Sequence, residues 1–303
     1  MKYADLHMHT SYSDGDYDIR EVIKMAAAAG LKTIAITDHD RADHFGKIKE
    51  IAKDFDIRLI KGLEISAYDY DFHKKVHIVG LFLPEKTPEI DKLNAITNKK
   101  REAYHLSLLP KLAKDGFELD YAYLKTFAKN SIIYKSDIFW AMKEKYSEKM
   151  EGVGFKDIFH EKTTDELART MGYVPVKDAI EAVNADGGLS ILAHPQEYDN
   201  WDEIENYKKI GLRAIEINHS RMVGGDFERA KDFAQRLDLL MSGGSDFHRL
   251  GRFDLGDYGI SEDEFKKLEE DFYEKYRNSW FQTPKSRGYD LWWIRKIRQA
   301  NSL

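Results

Sequence analysis

The chain has 303 residues, 42% hydrophobic and 33% charged, with a net charge of −6 and no cysteine. This is length enough for one large α/β domain or two small ones around a substantial core, and too apolar for a disordered polyelectrolyte. The missing thiols exclude disulfides, Cys-ligated zinc, iron–sulfur clusters and a cysteine nucleophile. The acidic balance gives no global attraction to duplex nucleic acid or an anionic membrane, which leaves only a local basic pocket for such ligands. No apolar run approaches the roughly 18–20 residues of a membrane span. The first residues, Met1 to His7, lack an apolar signal core, so no secretion signal and a cytoplasmic location are expected.

Short apolar runs alternate with longer amphipathic ones, the pattern of βα units. The candidate strands are Tyr3–His7, Thr33–Thr37, Arg58–Ile65, Val76–Leu83, Leu189–Ala193, Ala214–Asn218 and Leu239–Ser242. Asp18 can cap a first helix that turns Val22, Ile23, Ala26 and Ala27 inward, with Gly30 as its stop. A second helix is expected over Asp43–Phe55. From about Pro88 to Tyr173 the strand rhythm lapses into helices: Glu89–Lys114, Tyr121–Ala128, Ser136–Lys149 and Thr164–Met171. Asp226–Arg236 supplies another helix between the sixth and seventh strands. Beyond Ser261 a charged amphipathic helix leads to an aromatic group, Trp280, Phe281, Tyr289, Trp292 and Trp293, read as tail packing on the domain.

Metal-ligating side chains collect where these strands end. Asp5-Leu6-His7-Met8-His9 places two histidines on one side of an extended chain, and Gly15 lets the chain turn back so that Asp14 approaches them. Thr37-Asp38-His39-Asp40, His194-Pro195 and Ser245-Asp246-Phe247-His248 follow three other strands, and Glu64 ends another. Functional groups of parallel α/β barrels gather at this rim. His77 is the exception, near the start of its strand, and calls for a shifted boundary or a bent strand. Imidazoles and carboxylates without thiolates suit Zn²⁺, Mn²⁺ or Fe²⁺. Nine candidates exceed the ligand set of one catalytic zinc and fit two or three ions sharing bridging carboxylates better.

These motifs resemble the polymerase-and-histidinol-phosphatase (PHP) superfamily. The matching residues are Asp5-Leu6-His7-Met8-His9-Thr10 with Ser13-Asp14-Gly15, Thr37-Asp38-His39-Asp40, Gly62-Leu63-Glu64, Val76-His77-Ile78-Val79-Gly80, Ala193-His194-Pro195 and Gly244-Ser245-Asp246-Phe247-His248. The resemblance implies a distorted seven-stranded (β/α) barrel over residues 1–87 and 174–261, a helical insertion over 88–173 that caps the substrate, and a C-terminal helical extension over 262–303. It implies a two- or three-metal site for hydrolysing phosphate esters. Its ligands would be His7, His9, Asp14, His39, Glu64, His77, His194, Asp246 and His248, with Glu64 as the bridge. No family ligand position is substituted.

Within the superfamily the chain is most similar to a branch of nucleoside 3′,5′-bisphosphate phosphatases and 5′-to-3′ oligoribonucleases. Arg101 stands where that branch has an insertion arginine near the substrate. At Tyr134-Lys135-Ser136-Asp137 the chain departs, because the branch has an arginine followed two residues later by histidine. Lys135 keeps the charge but loses the bidentate fork, and Asp137 brings a negative charge.

The expected activity is phosphate-ester hydrolysis by a hydroxide held between divalent ions. Its substrate would be a small phosphorylated molecule, a nucleotide or a short single-stranded oligonucleotide. Arg101, Lys135, Arg221 and Arg249 are candidate cations for the transition state. The leaving-group proton is left between an ion-bound water and a nearby histidine. Asp40 is a candidate for orienting a neighbouring group, and His219 a candidate for substrate contact. His44, His73, His105 and His160 are read as structural or exposed. The competing readings are a phosphomonoesterase for another metabolite such as histidinol phosphate, a non-catalytic metal-stabilised domain, and an amidohydrolase-like enzyme acting on C–N bonds.

Overall fold

The computed structural model describes residues 2–128, 132–251 and 255–277. The aromatic group from Trp280 to Trp293 lies outside them. The first βα unit joins β1 (Ala4–Asp5) to α1 (Ile19–Ala28) and β2 (Thr33–Ile36). Asp18 and Glu21 close a reciprocal capping box at 2.9 and 3.0 Å, which ends the loop from the first motif and fixes where α1 begins. Ile19, Val22, Ile23 and Ala26 form the buried face, while Ala27 lies at its margin.

The chain continues through α2 (Phe45–Ala52), β3 (Arg58–Lys61), β4 (Leu63–Asp69) and β5 (Lys74–Leu81). Six helices follow: α3 (Pro88–Ser107), α4 (Leu109–Lys114), α5 (Tyr121–Ala128), α6 (Lys135–Lys145), α7 (Phe155–Ile158) and α8 (Asp165–Met171). The alternation then resumes with β6 (Val174–Pro175), α9 (Val176–Ala185), β7 (Leu189–Leu192), α10 (Ile204–Ile210), β8 (Ala214–His219), α11 (Asp226–Arg236), β9 (Leu240–Gly244) and α12 (Glu262–Phe272), closed by a π-helical turn, Tyr273–Arg277.

The strands form two sheets instead of one continuous ring of seven. A parallel three-stranded sheet has the order β1-β2-β3, and a mixed six-stranded sheet has the order β6-β4-β5-β7-β8-β9. The expected strand Arg58–Ile65 splits at Gly62: β3 pairs with β2, whereas β4 crosses to the other sheet. The two-residue β6, too short to carry a periodic signal, adds a further strand. Isolated bridges Met8–Phe247 and His39–Glu64 connect the two sheets at their ends, and Ala4–Ile260 ties β1 to the chain just before α12.

Strand β5 is antiparallel to both β4 and β7. This explains the position of His77 without a shifted boundary or a bend. A strand that runs backwards starts at the rim where its neighbours finish.

Three apolar clusters pack between the strands and their helices, and a fourth belongs to the 112–150 region, where Leu112, Leu124, Ile133, Ile138, Met142 and Met150 are all buried. Helix α3 joins the two regions with a polar face. Asn94, Thr97, Arg101 and His105 recur at three- and four-residue spacing and are buried along one side. Each of the last three finds a partner: Thr97 donates to the Gly172 carbonyl at 2.9 Å, Arg101 pairs with Asp40 at 2.7 Å, and His105 Nδ1 meets the Ile133 carbonyl at 2.8 Å. Helix α12 buries Phe265, Leu268 and Phe272 against the cluster that holds Ala4 and Leu6.

Candidate metal centre

The loop after β1 brings the first three candidates together. His7 and His9 are fully buried on either side of Met8, with ring centroids 5.3 Å apart. Thr10 accepts the amide of Gly15 at 3.0 Å, so the chain folds back on itself. A Cβ at Gly15 would stand 2.7 Å from the His9 carbonyl oxygen, which is why this turn takes glycine. The turn presents Asp14 to His9 Nδ1 at 3.5 Å, to His39 Nε2 at 3.6 Å and to His248 Nε2 at 3.3 Å.

Glu64 occupies the middle. Its Oε1 lies 2.8 Å from His77 Nδ1, 2.9 Å from His194 Nε2 and 3.4 Å from His7 Nε2; its Oε2 lies 3.1 Å from His39 Nδ1 and 3.3 Å from His9 Nε2. Asp246 Oδ1 approaches His9 Nε2 at 3.2 Å and His7 Nε2 at 3.5 Å. All nine ligand candidates thus meet at one mouth. Their ligand atoms fall into overlapping sets, within 4.8 Å of one another in each: His9, Asp14, His39 and His248; His7, His9, Glu64 and Asp246; His39, Glu64 and His77; and His194 with Glu197 and Asp246.

The backbone is strained at this mouth. Asp40, His194 and Asp246 have φ of 51°, 27° and 52°, a region that side chains other than glycine's rarely occupy. Electrostatics follow from the crowding. Burial pushes Glu64 toward its neutral form, but His77, His39 and His7 outweigh it and hold the carboxyl well below its usual range. Burial opposes charge on His9 too, yet the nearby carboxylates of Asp246, Glu64 and Asp14 raise it to about 10. His77 and His39 are held below the usual imidazole value, burial being the largest cause in each.

A family model described as the PHP domain matches residues 5–220. The chain belongs to the PHP domain family. It is an enzyme, a metal-dependent phosphoesterase. It is 32% identical over 251 residues to the phosphoribosyl 1,2-cyclic phosphate 1,2-diphosphodiesterase of Eggerthella lenta, covering 82% of this chain and 94% of the relative. It is 27% identical over 265 residues to the 3′,5′-nucleoside bisphosphate phosphatase of Chromobacterium violaceum, covering 83% and 89%. Among solved structures, one from Bifidobacterium adolescentis, named for metal-dependent phosphoesterase activity, superposes with a TM-score of 0.77 at 24% identity, covering 88% of this chain and 95% of that one, a likeness of fold.

The PHP site has the chemistry to bind divalent cations. Buried His7 Nε2, His9 Nε2, His77 Nε2 and His194 Nδ1 have no hydrogen-bond partner in the protein, a costly arrangement unless a further group completes it. Nitrogen and carboxylate donors without thiolates accept Mn²⁺, Fe²⁺ or Zn²⁺.

The mouth opens into a cavity of about 740 Å³ between the strands and the helices of 88–173. Arg101, Lys135, Arg221 and Arg249 all line it. Arg101 is buried between the rings of Tyr134 and Tyr173 and is neutralised by Asp40. Arg221 is paired with Glu197 and lies 3.4 Å from Asp246. Arg249 stands 3.7 Å from Asp16 and over Trp140. Lys135 lies against Tyr104 and Phe159, with Glu161 3.9 Å away. His219 is fully buried behind the ligands and is not part of the cavity wall.

Two residues beneath the site carried no readable signal. Asp38 accepts from Thr10, Ser13 and His44, each at 2.7 Å, and so fastens the first motif to the second. It lies inside a quoted motif, but only its partners reveal its task. Glu216 bonds His7 Nδ1 and the His194 amide, both at 2.7 Å. It sits in a largely apolar strand, three residues before His219, and nothing in the sequence tells which way its side chain faces. His44 and His105 are buried, His105 among the residues that line the cavity, and His160 is exposed. His73, also exposed, meets Asp165 at 2.8 Å. No helix among the described residues is long and apolar enough to cross a membrane.

Proposed function

We propose that this enzyme hydrolyses a phosphate ester of a phosphorylated, ribose-containing substrate at a centre of two or three divalent cations. The observation that carries the reading is Glu64, ringed by His7, His9, His39, His77 and His194 at the floor of the cavity. His7, His9, Glu64 and Asp246 would hold one cation, and Asp14, His39 and His248 with His9 a second; His77 and His194, 2.8 and 2.9 Å from Glu64 Oε1, would serve a third. When bound, such cations lower the pKa of a water and draw charge from phosphate oxygens.

The chain's own residues would then do the rest. Arg101, its charge balanced by Asp40, stands in the cavity wall near His39. Lys75 of β5 and Lys135 of α6 both line the cavity, and Lys75 bonds Tyr198 at 3.1 Å. These ammonium groups suit a second anionic group on the substrate. Tyr134, Tyr173 and Tyr198 offer ring faces to a sugar or base. Residues 88–173 act as a cap, since Arg101, Tyr134 and Lys135 come from its helices or their flanks. The bridges Met8–Phe247 and His39–Glu64 between the sheets fit a PHP-type barrel opened on one side, with 262–277 packed against it.

A nucleoside 3′,5′-bisphosphate or short 5′-phosphorylated oligonucleotide is the first substrate class. A cyclic phosphodiester of a phosphorylated pentose is the second. Two observations favour the latter: the departure at Lys135 and Asp137, and the 32% identity to the Eggerthella lenta enzyme. The test is an assay with Mn²⁺ of those substrates beside histidinol phosphate and a generic phosphate ester. Hydrolysis of a ribose phosphate, lost by orders of magnitude in folded His9→Ala and Asp246→Ala but kept in His160→Ala, is expected. Near-normal activity in purified Asp246→Ala would overturn the ligand assignment. Turnover of histidinol phosphate alone would overturn the substrate class.

A further inference from the structure

Strand β8 adds none of the nine ligand candidates, yet it runs directly behind them. In a regular strand Glu216 and His219, three residues apart, would face opposite sides. The pairing with β9 is irregular there: Glu216 pairs with Ser242 and Asn218 already pairs with Gly243. This bulge advances β8 by one residue and turns His219 to the same side as Glu216. His7, Glu216 and His219 consequently bring ligand-type atoms within 4.8 Å of one another, all fully buried.

We infer that Glu216 is a positioning residue that sets the tautomer of His7 and anchors His194, so that both imidazoles are presented to the cations. The inference rests on the metal-centre reading above. Glu216 Oε1 lies 2.7 Å from His7 Nδ1. A carboxylate only accepts, so Nδ1 carries the proton. The lone pair is left on Nε2, the buried atom without a hydrogen-bond partner that faces Glu64 and Asp246. Glu216 Oε2 accepts the His194 amide at 2.7 Å, at the residue whose φ is 27°. One carboxylate thereby orients one ligand ring and clamps the strained backbone of another.

The geometry separates this role from that of a further ligand site. The carboxylate's two oxygens are already engaged by His7 and His194. His219 points the other way chemically: its Nδ1 accepts the Arg221 amide at 3.2 Å, which leaves Nε2 as the ring's N–H. That proton faces Asp246 Oδ2 at 3.5 Å. His219 therefore turns an N–H toward a ligand carboxylate without bonding it, while the His7 lone pair is left for a cation.

The test compares wild type with Glu216→Gln, which keeps the volume but sets an N–H against one of the two donors. Metal-stripped protein is titrated with Mn²⁺ by calorimetry, with circular dichroism and melting as fold controls. Mn²⁺ affinity should fall about 10–100-fold while the fold is kept. In zinc-loaded protein, ¹⁵N-histidine spectra should show a protonated Nδ1 on His7, disturbed in the variant. A purely structural role would not move that signal. Affinity in Glu216→Gln within twofold of wild type, or an unprotonated His7 Nδ1 in zinc-loaded wild type, would overturn the inference alone. Should the variant not fold, the wild-type spectrum decides. Wild type that binds neither cation would overturn the metal-centre reading with it.

Discussion

His77 Nδ1 lies 2.8 Å from Glu64 Oε1 although Ser66, not Glu64, is the residue opposite His77 in the β4–β5 pair. The contact is diagonal, between side chains on one face of an antiparallel hairpin. It exists because β5 runs backwards and delivers its early residues to the rim.

The diagonal contact makes Glu64 a hub and His77 a spoke. Glu64→Gln should lower kcat with Mn²⁺ by roughly 1000-fold or more, and His77→Gln by roughly 100-fold, because the carboxylate meets the imidazoles of several strands and His77 meets one carboxylate. Steady-state kinetics together with bound-manganese content would check the ranking. Equal losses, or full metal content in Glu64→Gln, would count against the hub.

Arg101 and Asp40 form a buried ion pair, 2.7 Å apart, with Tyr134 and Tyr173 on the guanidinium faces. Burial disfavours the Arg101 cation, but Asp40 more than compensates. Removing one partner strands the other charge. Arg101→Met should therefore cost about 3–5 kcal/mol of stability. Adding Asp40→Asn should recover part of that loss, since an asparagine can still accept the Ser66 amide that Asp40 binds at 2.9 Å. Urea unfolding of the single and double variants measures both. An unchanged midpoint in Arg101→Met would mean that the arginine serves the substrate alone.

Asp137 gives a pH dependence with a definite sign. Burial raises its pKa from 3.8 to about 7, more than the Tyr134 amide bond lowers it. Between those values the folded state holds a proton that the unfolded state has lost, so stability falls as pH rises through the window and levels off above about 7. Since the side chain is only partly buried, the effect should be about 1–2 kcal/mol. Asp137→Asn should flatten the profile, gaining on wild type at pH 8 and not at pH 4. Thermal melts at both values decide it.

The 112–150 cluster has its own core, in which Ile138 is fully buried. Ile138→Ala should destabilise this region by about 2–5 kcal/mol. Hydrogen exchange should rise there first, with the amides of β7 to β9 still protected. If all of these loosened together, the helical region and the strands would be one cooperative unit.

Much of the site was legible because its logic is local. Residues two apart on an extended chain face the same way, so His7 and His9 could be paired on paper, and the glycine two places past Ser13 marked the turn that returns Asp14. Helix α1 was legible from its cap and apolar spacing. Glu216 was not, because an acid in a β-strand looks the same in sequence whether it faces solvent or a buried imidazole. Arg101 could be placed near the cavity, but its neutralisation by Asp40 depends on packing α3 against the loop after β2.

The residue types and their order along the chain settled on their own which chemistry could be assembled: nitrogen and oxygen donors at strand ends, and no thiol. Three things were decided only in three dimensions. These are the reversed direction of β5, the bulge that turns His219 to the side of Glu216, and the separation of the strands into two sheets. Strand direction and register depend on which distant segment supplies the hydrogen bonds, and no periodicity within a single strand records its partner.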